Sequence, residues 1–247
     1  MAHAPYRDPT ISVHEDRDVT EPLVVGFSSF GLAGLTTVDY LVDQLSMDAV
    51  GHVRTDGLPS ITPFTDGEPR HPTRLHAHPD VPVTALVGEQ FVPAWAAEAV
   101  GASLLEWIDG SAVDELCYVR GVPIAHGPDD HRTFTIATGD FQERRLADVD
   151  LPAMPNGFLD GVPATLLERG LETDLAVGVL VTPVHPQAPD ADAALRLLEA
   201  VVQCYAVDVD PGPLQTFADE VRSYYGELSE RLQAAEDQET PEDRMYM

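Results

Sequence analysis

Short apolar runs bounded by glycine or proline alternate along the chain with segments in which apolar residues recur every three or four positions. Residues 22–27 form such a run and predict a buried strand, whereas the apolar residues between Leu35 and Leu45 have helical spacing. Residues 175–181 are apolar without interruption, as expected for a strand buried on both faces. The same reasoning predicts strands at 49–53, 81–87, 116–119 and 133–137, and helices at 93–108, 159–169 and 190–202.

The order of these elements predicts the fold class. Strands that alternate with helices of about 10 to 15 residues form a mainly parallel sheet with helices on both faces. The proline-punctuated stretch around Asp66-Gly67 carries a hairpin turn signal and is expected to add antiparallel strands. We therefore predict an α/β protein of three layers (αβα) with a mainly parallel mixed sheet. Gly170 is expected to cap the end of the helix over 159–169, and Asp190 to cap the start of the next helix.

The last predicted helix differs from the others in its apolar pattern. From Leu214 to Leu232 the apolar residues recur in threes and fours, which is close to a coiled-coil seam. Such a helix either packs on its own domain or projects and pairs with a neighbouring subunit, and the sequence leaves both interpretations open. The acidic, proline-containing segment beyond it buries too little apolar surface to order itself. The predicted organisation is an α/β domain over residues 1–210, a helix over 211–236 and a flexible tail over 237–247.

The charge of the chain is unusual for a protein of its length. Its 42 Asp and Glu residues oppose 14 basic residues, all of them Arg, which gives a net charge of −28 without a single Lys. The acidic residues run through the whole chain. This composition resembles that of proteins from organisms with molar salt in the cytoplasm, where a Debye length of about 3 Å screens the repulsion between surface carboxylates. We therefore interpret the chain as a halophilic protein.

The same charge argues against several classes of partner. Nucleic acids and anionic membranes both require a basic surface, and no stretch approaches the roughly 20 apolar residues that span a bilayer. Residues 1–8 lack the pattern of a signal peptide. Cys117 and Cys204 lie in apolar contexts, which favours buried free thiols over a disulfide. These features predict a cytoplasmic protein without nucleic-acid or membrane partners.

The glycine-rich segment between Gly26 and Gly34 joins the first predicted strand to the first predicted helix and looks like a phosphate cradle. It does not match the dinucleotide fingerprint, and the chain has no Lys to complete a P-loop. Close packing of the strand against the helix is the favoured explanation of its glycines. Ser28 and Ser29 lack the Gly-x-Ser-x-Gly context, so either could be a nucleophile only beside a base.

The nine histidines are scattered along the sequence. His76 and His78 share one face of a predicted strand with His71 nearby, but no further metal ligand accompanies them, so a solvent-exposed edge strand is the favoured interpretation. Three others stand where α/β enzymes keep catalytic groups, and one of them, His185, has no acidic neighbour nearby in sequence. These three are His126, His131 and His185. We expect no metal, no cofactor and no catalytic residue.

The chain ends in the apolar residues Met245, Tyr246 and Met247, which follow the acidic segment. A mobile tail gains nothing from an aromatic residue at its tip unless the tip docks elsewhere, with the terminal carboxylate as part of the ligand. The pattern hydrophobic-Tyr-any residue resembles the tail by which proteasome activators and assembly factors dock between subunits of the α-ring. These three residues are the predicted protein-binding site.

Several segments in order resemble the PAC2 family of proteasome assembly chaperones, and the resemblance covers about residues 20 to 235. The family implies a phosphorylase/hydrolase-like α/β fold, oligomerisation, and action by protein contact without a cofactor. The segments that carry the resemblance are 26–34, the run from Leu58 to Arg70 (LPSITPFTDGEPR), the Trp95–Trp107 helix with the 115–123 strand after it, and 161–210.

The resemblance implies a non-enzymatic proteasome assembly chaperone or activator that docks on the α subunits of the 20S particle through its tail. Met245 would fill an apolar recess, the Tyr246 ring would pack while its hydroxyl finds a polar partner, and the carboxylate of Met247 would meet a basic residue. The expected assembly is a homo-oligomer or a hetero-oligomer with a paralogue. The alternative function is a small-molecule hydrolase or phosphorylase, with a ligand near Gly31 and His185.

Overall fold

The structure of the chain is a computed structural model that describes residues 9–17, 19, 22–127, 130–186 and 188–239. Its strands are β1 Thr10–Glu15, β2 Leu23–Phe27, β3 Asp48–Asp56, β4 Phe64–Thr65, β5 Glu68–Pro69, β6 Thr73–Ala77, β7 Thr84–Gly88, β8 Glu115–Val122, β9 Phe134–Ala137 and β10 Ala176–Pro183. Its helices are α1 Ala33–Gln44, α2 Ala97–Asp109, α3 Gly139–Phe141, α4 Val162–Glu172, α5 Ala191–Tyr205 and α6 Gly212–Glu239.

Eight of the described strands form one mixed sheet in the order β1-β3-β6-β7-β2-β8-β10-β9. The four strands β7, β2, β8 and β10 are parallel to one another, and antiparallel strands flank them on both sides. Strands β4 and β5 form a separate hairpin, in which Asp66 and Gly67 both have positive φ, as the predicted turn requires. The three-layer α/β prediction, with antiparallel strands added to a parallel centre, is confirmed.

Helices cover both faces of the sheet and create two hydrophobic cores. Leu104 of α2 and Leu166 of α4 are fully buried against one face. Val38 of α1 and Leu197 of α5 are fully buried against the other. Strand β10 is buried along its whole length between β8 and β9, as its uninterrupted apolar run predicts. The apolar stripes of the helices therefore face the sheet from both sides, which gives the αβα layering.

The predicted end of one helix is wrong and the predicted start of another is confirmed. We expected a helix over 159–169 to end at Gly170, but α4 begins at Val162 and continues past this glycine to Glu172. A Cβ at Gly170 would lie 2.8 Å from Val177 Cγ2, so close contact with the sheet requires a glycine there. Asp190 caps α5 as predicted, because its Oδ1 accepts a hydrogen bond of 2.9 Å from the backbone N–H of Ala193.

A buried ion pair lies at the start of β8. The Glu115 side chain is 2% exposed, and its Oε1 accepts a hydrogen bond of 2.7 Å from Nε of Arg145. Arg145 belongs to a π-helical turn, Gln142–Leu146, that continues from α3. Cys117 and Cys204 are both buried and free, as predicted, and burial raises the pKa of the Cys204 thiol to about 11. This side of the sheet therefore combines a charged pair with unreactive thiols.

Helix α6 is the longest element of the chain. Its 28 residues correspond to about 42 Å at 1.5 Å per residue. Across the part of the chain that the structure describes, no helix is both long enough and apolar enough to cross a membrane. The division of the chain into 1–210, 211–236 and 237–247 stays a prediction.

Candidate functional site

The carboxyl ends of β2, β7, β8 and β10 meet at one edge of the sheet because these four strands are parallel. In open α/β sheets, ligands bind in the crevice outside this edge. Two groups of side chains lie there. One is an aromatic cleft formed around Phe30, Phe91 and Tyr118, and the other is a histidine cluster formed by His126, His131 and His185.

The glycine segment between β2 and α1 is a packing device. A Cβ at Gly34 would lie 2.1 Å from the backbone oxygen of Val119, and a Cβ at Gly26 would lie 2.3 Å from the backbone oxygen of Gly34. Gly31 has φ +68°, and a Cβ there would lie 2.9 Å from Cβ of Val184. These contacts explain the glycines by the close approach of α1 to the sheet. The favoured structural explanation is confirmed.

The aromatic cleft has a volume of about 190 Å³ and is lined by the turn after β2, the turn after β7 and the start of α4. Phe30 and Phe91 at its mouth are each 56% exposed, whereas Tyr118 at its base is buried and burial raises the pKa of its phenol. Nη1 of Arg120 lies 3.3 Å from Oδ1 of Asp160 at one side. The cleft is apolar and contains one ion pair.

The serines of the cleft do not form a catalytic pair in the described part of the chain. The Ser29 hydroxyl is buried there without a hydrogen-bond partner. The acidic group that lines the cleft, Asp160, is engaged by Arg120. A serine nucleophile requires a base within hydrogen-bond reach, and neither Ser28 nor Ser29 has a hydrogen bond to one among these residues.

The structure brings His185 next to His126 and His131, which lie close to each other but far from His185 in the sequence. One ring nitrogen from each of His126, His131 and His185 lies within 4.8 Å of one from each of the others. Their ring centroids are 5.0 Å, 5.0 Å and 5.8 Å apart. His126 follows β8, His131 precedes β9 and His185 follows β10, so the pairing of β8, β10 and β9 brings them together.

His185 has an acidic partner, which the sequence interpretation missed. Its Nδ1 lies 3.0 Å from Oδ2 of Asp190, and the same oxygen accepts the backbone N–H of His185 at 2.9 Å. Although burial acts in the opposite direction, the hydrogen bonds from the backbone N–H groups of His185 and Ala193 lower the pKa of Asp190. The sequence assigns no partner to His185, and the structure identifies Asp190 as one. The sequence pattern predicts Asp190 only as a helix cap, and the turn before α5 brings it back onto the histidine.

The environment of His131 favours its neutral form. Burial, the guanidinium of Arg196 and the neighbouring His126 and His185 all lower the pKa of His131. A neutral imidazole carries a lone pair on one ring nitrogen, which is the form that accepts hydrogen bonds or binds metals.

The expected edge position of His76 is wrong. Strand β6 lies between β3 and β7 inside the sheet, and all five of its residues are buried. His76 is only 9% exposed, and its Nε2 lies 3.3 Å from Nε of Arg74. The ring of His71 instead stacks on His52 at a centroid distance of 3.7 Å. Because β6 pairs with a strand on each side, it is an inner strand, which its polar residues did not indicate.

Helix α6 contacts the domain as far as Arg222, which forms an ion pair with Asp192 of α5. Leu214 and Ala218 are buried, and α6 contacts α5. On the same helix, Phe217 is 47% exposed and Tyr224 is 64% exposed, and Tyr225 and Leu228 are also exposed. Residues 245–247, the predicted binding site, lie outside the residues that the structure describes. Some apolar residues of α6 therefore pack on its own domain, and the others form an exposed apolar face.

Comparisons with known proteins agree on one family. A sequence model described as "PAC2 family" matches residues 23–229. No curated protein sequence matches the chain. Among solved structures, Pyrococcus furiosus PbaA, described as an archaeal homologue of a proteasome-assembly chaperone, is similar with a TM-score of 0.80 and 18% identity, over 96% of this chain and 99% of that one.

Two further solved structures have the same fold. Pyrococcus furiosus PbaB, described as an archaeal proteasome activator, has a TM-score of 0.73 and 18% identity, over 90% of this chain and 99% of that chain. A PAC2 family protein from Streptomyces avermitilis has a TM-score of 0.64 and 16% identity, over 84% of this chain and 95% of that chain. At these identities the likeness concerns the fold.

Proposed function

The chain belongs to the PAC2 family, and on that premise we propose that it is a non-enzymatic proteasome assembly chaperone or activator. It docks on the α-ring of the 20S particle through Met245, Tyr246 and Met247, provided that Met247 carries the free terminal carboxylate. The observation that carries the proposal is the combination of this family with an apolar tip after an acidic segment. The description of PbaA as a homologue of a proteasome-assembly chaperone and that of PbaB as a proteasome activator support the same partner.

Helix α6 supports a docking role because of its length and exposure. The helix is about 42 Å long and directly precedes the terminal segment in the sequence. Its exposed apolar face suits a contact with a second subunit, either a copy of this chain or a paralogue. An oligomer would present several tails to a ring of α subunits, and several weak contacts would then act together. We place this protein in the cytoplasm, where its partner assembles.

Replacing Tyr246 by alanine is expected to weaken binding to the 20S particle about thirtyfold, which corresponds to the roughly 2 kcal/mol of a buried aromatic anchor. Adding one glycine after Met247 is expected to do the same, because it moves the carboxylate away from its basic partner. The affinity would be measured by immobilising the 20S particle and titrating the full chain. Stimulation of peptide hydrolysis by the particle would distinguish an activator from a chaperone.

Thr240→Ala lies in the same terminal segment and leaves the apolar tip and the carboxylate unchanged, so it is the matched control. Equal binding by the wild type, the Tyr246→Ala variant and the glycine-extended chain would rule out tail docking. Binding that persists without the tail would still support a chaperone that acts through another surface.

We also propose that the protein is halophilic, since its net charge of −28 without Lys requires screening. The melting temperature is expected to rise continuously as KCl is increased from about 0.1 M to above 1 M, because the Debye length falls from about 10 Å to about 3 Å. Calorimetry across this range would measure the rise. Sucrose at matched osmolality serves as the control for solvent exclusion, and a melting temperature independent of KCl would contradict the proposal.

The second candidate function is a small-molecule hydrolase or phosphorylase, which the His185–Asp190 pair favours because a carboxylate orients a histidine in many catalytic sites. Nucleosides and phosphate esters near Gly31 and His185 would be the first substrates to test. Turnover that is lost in His185→Ala but kept in a chain without its tail would favour the enzyme over the chaperone.

A further inference from the structure

We propose that the histidine cluster binds one divalent transition-metal ion, best matched by Zn²⁺, through a ring nitrogen from each of His126, His131 and His185. A water molecule would complete a tetrahedral set. The site is independent of the proteasome-docking tail. Three nitrogens converge there, and the other ring nitrogens of His126 and His185 already have hydrogen-bond partners.

The three nitrogens are near the spacing that a metal needs. They lie within 4.8 Å of one another, whereas tetrahedral Zn²⁺ with bonds of about 2.0–2.1 Å requires about 3.3 Å between ligand atoms. Small side-chain rotations close this difference. His131 and His185 are exposed, so their rings have room to adjust, while His126 is half-buried and fixes one corner of the site.

Hydrogen bonds fix the tautomer of His126 in the form that binds metal. Its Nδ1 lies 2.7 Å from the backbone oxygen of Ile124, and a carbonyl oxygen only accepts, so Nδ1 carries the hydrogen. The lone pair is therefore on Nε2. That nitrogen is buried and has no hydrogen-bond partner among the described residues. An unsatisfied buried acceptor costs about 1–3 kcal/mol, and a metal ion would remove this cost.

Asp190 fixes the tautomer of His185 in the form that binds metal. The carboxylate accepts the hydrogen of Nδ1, so Nε2 of His185 is the nitrogen with the lone pair. Backbone N–H groups of His185 and Ala193 hold the carboxylate in place, each at 2.9 Å. A carboxylate behind a histidine is the usual arrangement in protein zinc sites, where it orients the ring and increases its basicity.

The ligand set selects the class of metal. Imidazole nitrogens suit Zn²⁺, Cu²⁺ and Ni²⁺, whereas Mg²⁺ and Ca²⁺ take oxygen ligands. The strongly acidic surface would attract any divalent cation non-specifically, so selectivity for a nitrogen-binding ion separates this site from the surface carboxylates. A bound ion would tie the connection between β8 and β9 to the turn before α5, beside Gly31, whose oxygen accepts the N–H of Asp190 at 2.8 Å.

The test uses the full chain, stripped with a chelator and titrated with Zn²⁺ by calorimetry in excess Mg²⁺, which occupies carboxylate sites. We expect one Zn²⁺ per chain. We expect His131→Ala to weaken the affinity more than about a hundredfold, and Asp190→Asn to weaken it about 10- to 100-fold, as for other partners of metal-binding histidines. Asparagine still caps α5, so the second variant keeps the helix start. Co²⁺ in place of Zn²⁺ is expected to show tetrahedral visible absorption in the wild type but not in His131→Ala.

His71→Ala is the matched control, because His71 is an exposed histidine in the other ring stack, on His52. It should bind Zn²⁺ like the wild type. Melting curves of the metal-free variants would show that each folds. The proposal is overturned if the wild type binds no Zn²⁺ in excess Mg²⁺, if a folded His131→Ala variant binds it with wild-type affinity, or if His71→Ala loses as much affinity as His131→Ala.

Discussion

Replacing Arg145 by alanine is expected to lower the free energy of unfolding by about 3–5 kcal/mol, because it leaves the carboxylate of Glu115 buried without its cation. Glu115 is 2% exposed on its side chain, and the hydrogen bond from Arg145 Nε is 2.7 Å long. The guanidinium also stacks over the ring of Tyr205 at 4.7 Å, so the variant loses that packing as well. Urea unfolding at constant salt would measure the change.

The neighbouring Arg144 provides the matched control. Arg144→Ala also removes one positive charge. Its partner Asp114, whose Oδ2 lies 3.0 Å from Arg144 Nη1, is 71% exposed, so the expected loss of stability is below about 1 kcal/mol. The double variant Glu115→Gln with Arg145→Met removes both charges and is expected to regain most of the stability. An effect of Arg145→Ala no larger than that of Arg144→Ala would show that Glu115 is solvated in solution.

The second large effect concerns His76 and pH. Burial lowers the pKa of His76 to about 4 from its ordinary value of 6.5, and the charges of Arg74 and Arg70 act in the same direction. A backbone hydrogen bond at Met47 and the carboxylate of Asp48 oppose the shift. Between these two pKa values the unfolded chain binds a proton that the folded chain does not. The contribution of neutral His76 to the free energy of unfolding is therefore fully present above about pH 6.5, and it is lost as the pH falls toward 4.

His76→Gln is expected to remove about 1–2 kcal/mol of the stability loss between pH 7 and pH 4.5, at about 1.4 kcal/mol per unit of pKa over roughly two pH units with some allowance for solvent screening. His78→Gln, on a residue that is not buried, is the control and should follow the wild type. Urea unfolding at several pH values would give both curves. Parallel curves for the wild type and the His76→Gln variant would mean that His76 is protonated in the fold.

Much of the fold could be predicted because the relevant signals are local. The apolar run over 175–181 and the helical spacing before β3 report burial directly, and the capping role of Asp190 depends on a residue three positions ahead. The strand β6 could not be placed in this way. Its polar residues are compatible with burial only because Arg74 meets Glu89 at 2.9 Å, and that carboxylate comes from the turn after another strand.

The candidate site was predicted in its parts but not as an arrangement. The sequence places His126, His131 and His185 beside strand ends but gives no sign that they meet. Nothing in the spacing of residues along the chain states that β10 lies between β8 and β9. This strand order brings one ring nitrogen of each histidine within 4.8 Å of one from each of the others.

The sequence by itself determined the α/β class, the charge and the family, because composition, periodicity and segment order are properties of the chain alone. The tertiary structure decided which polar residues are buried and which distant side chains meet. A strand position or a histidine cluster depends on pairing between segments far apart in sequence, and this pairing is selected by the free energy of the whole sheet rather than by any local preference.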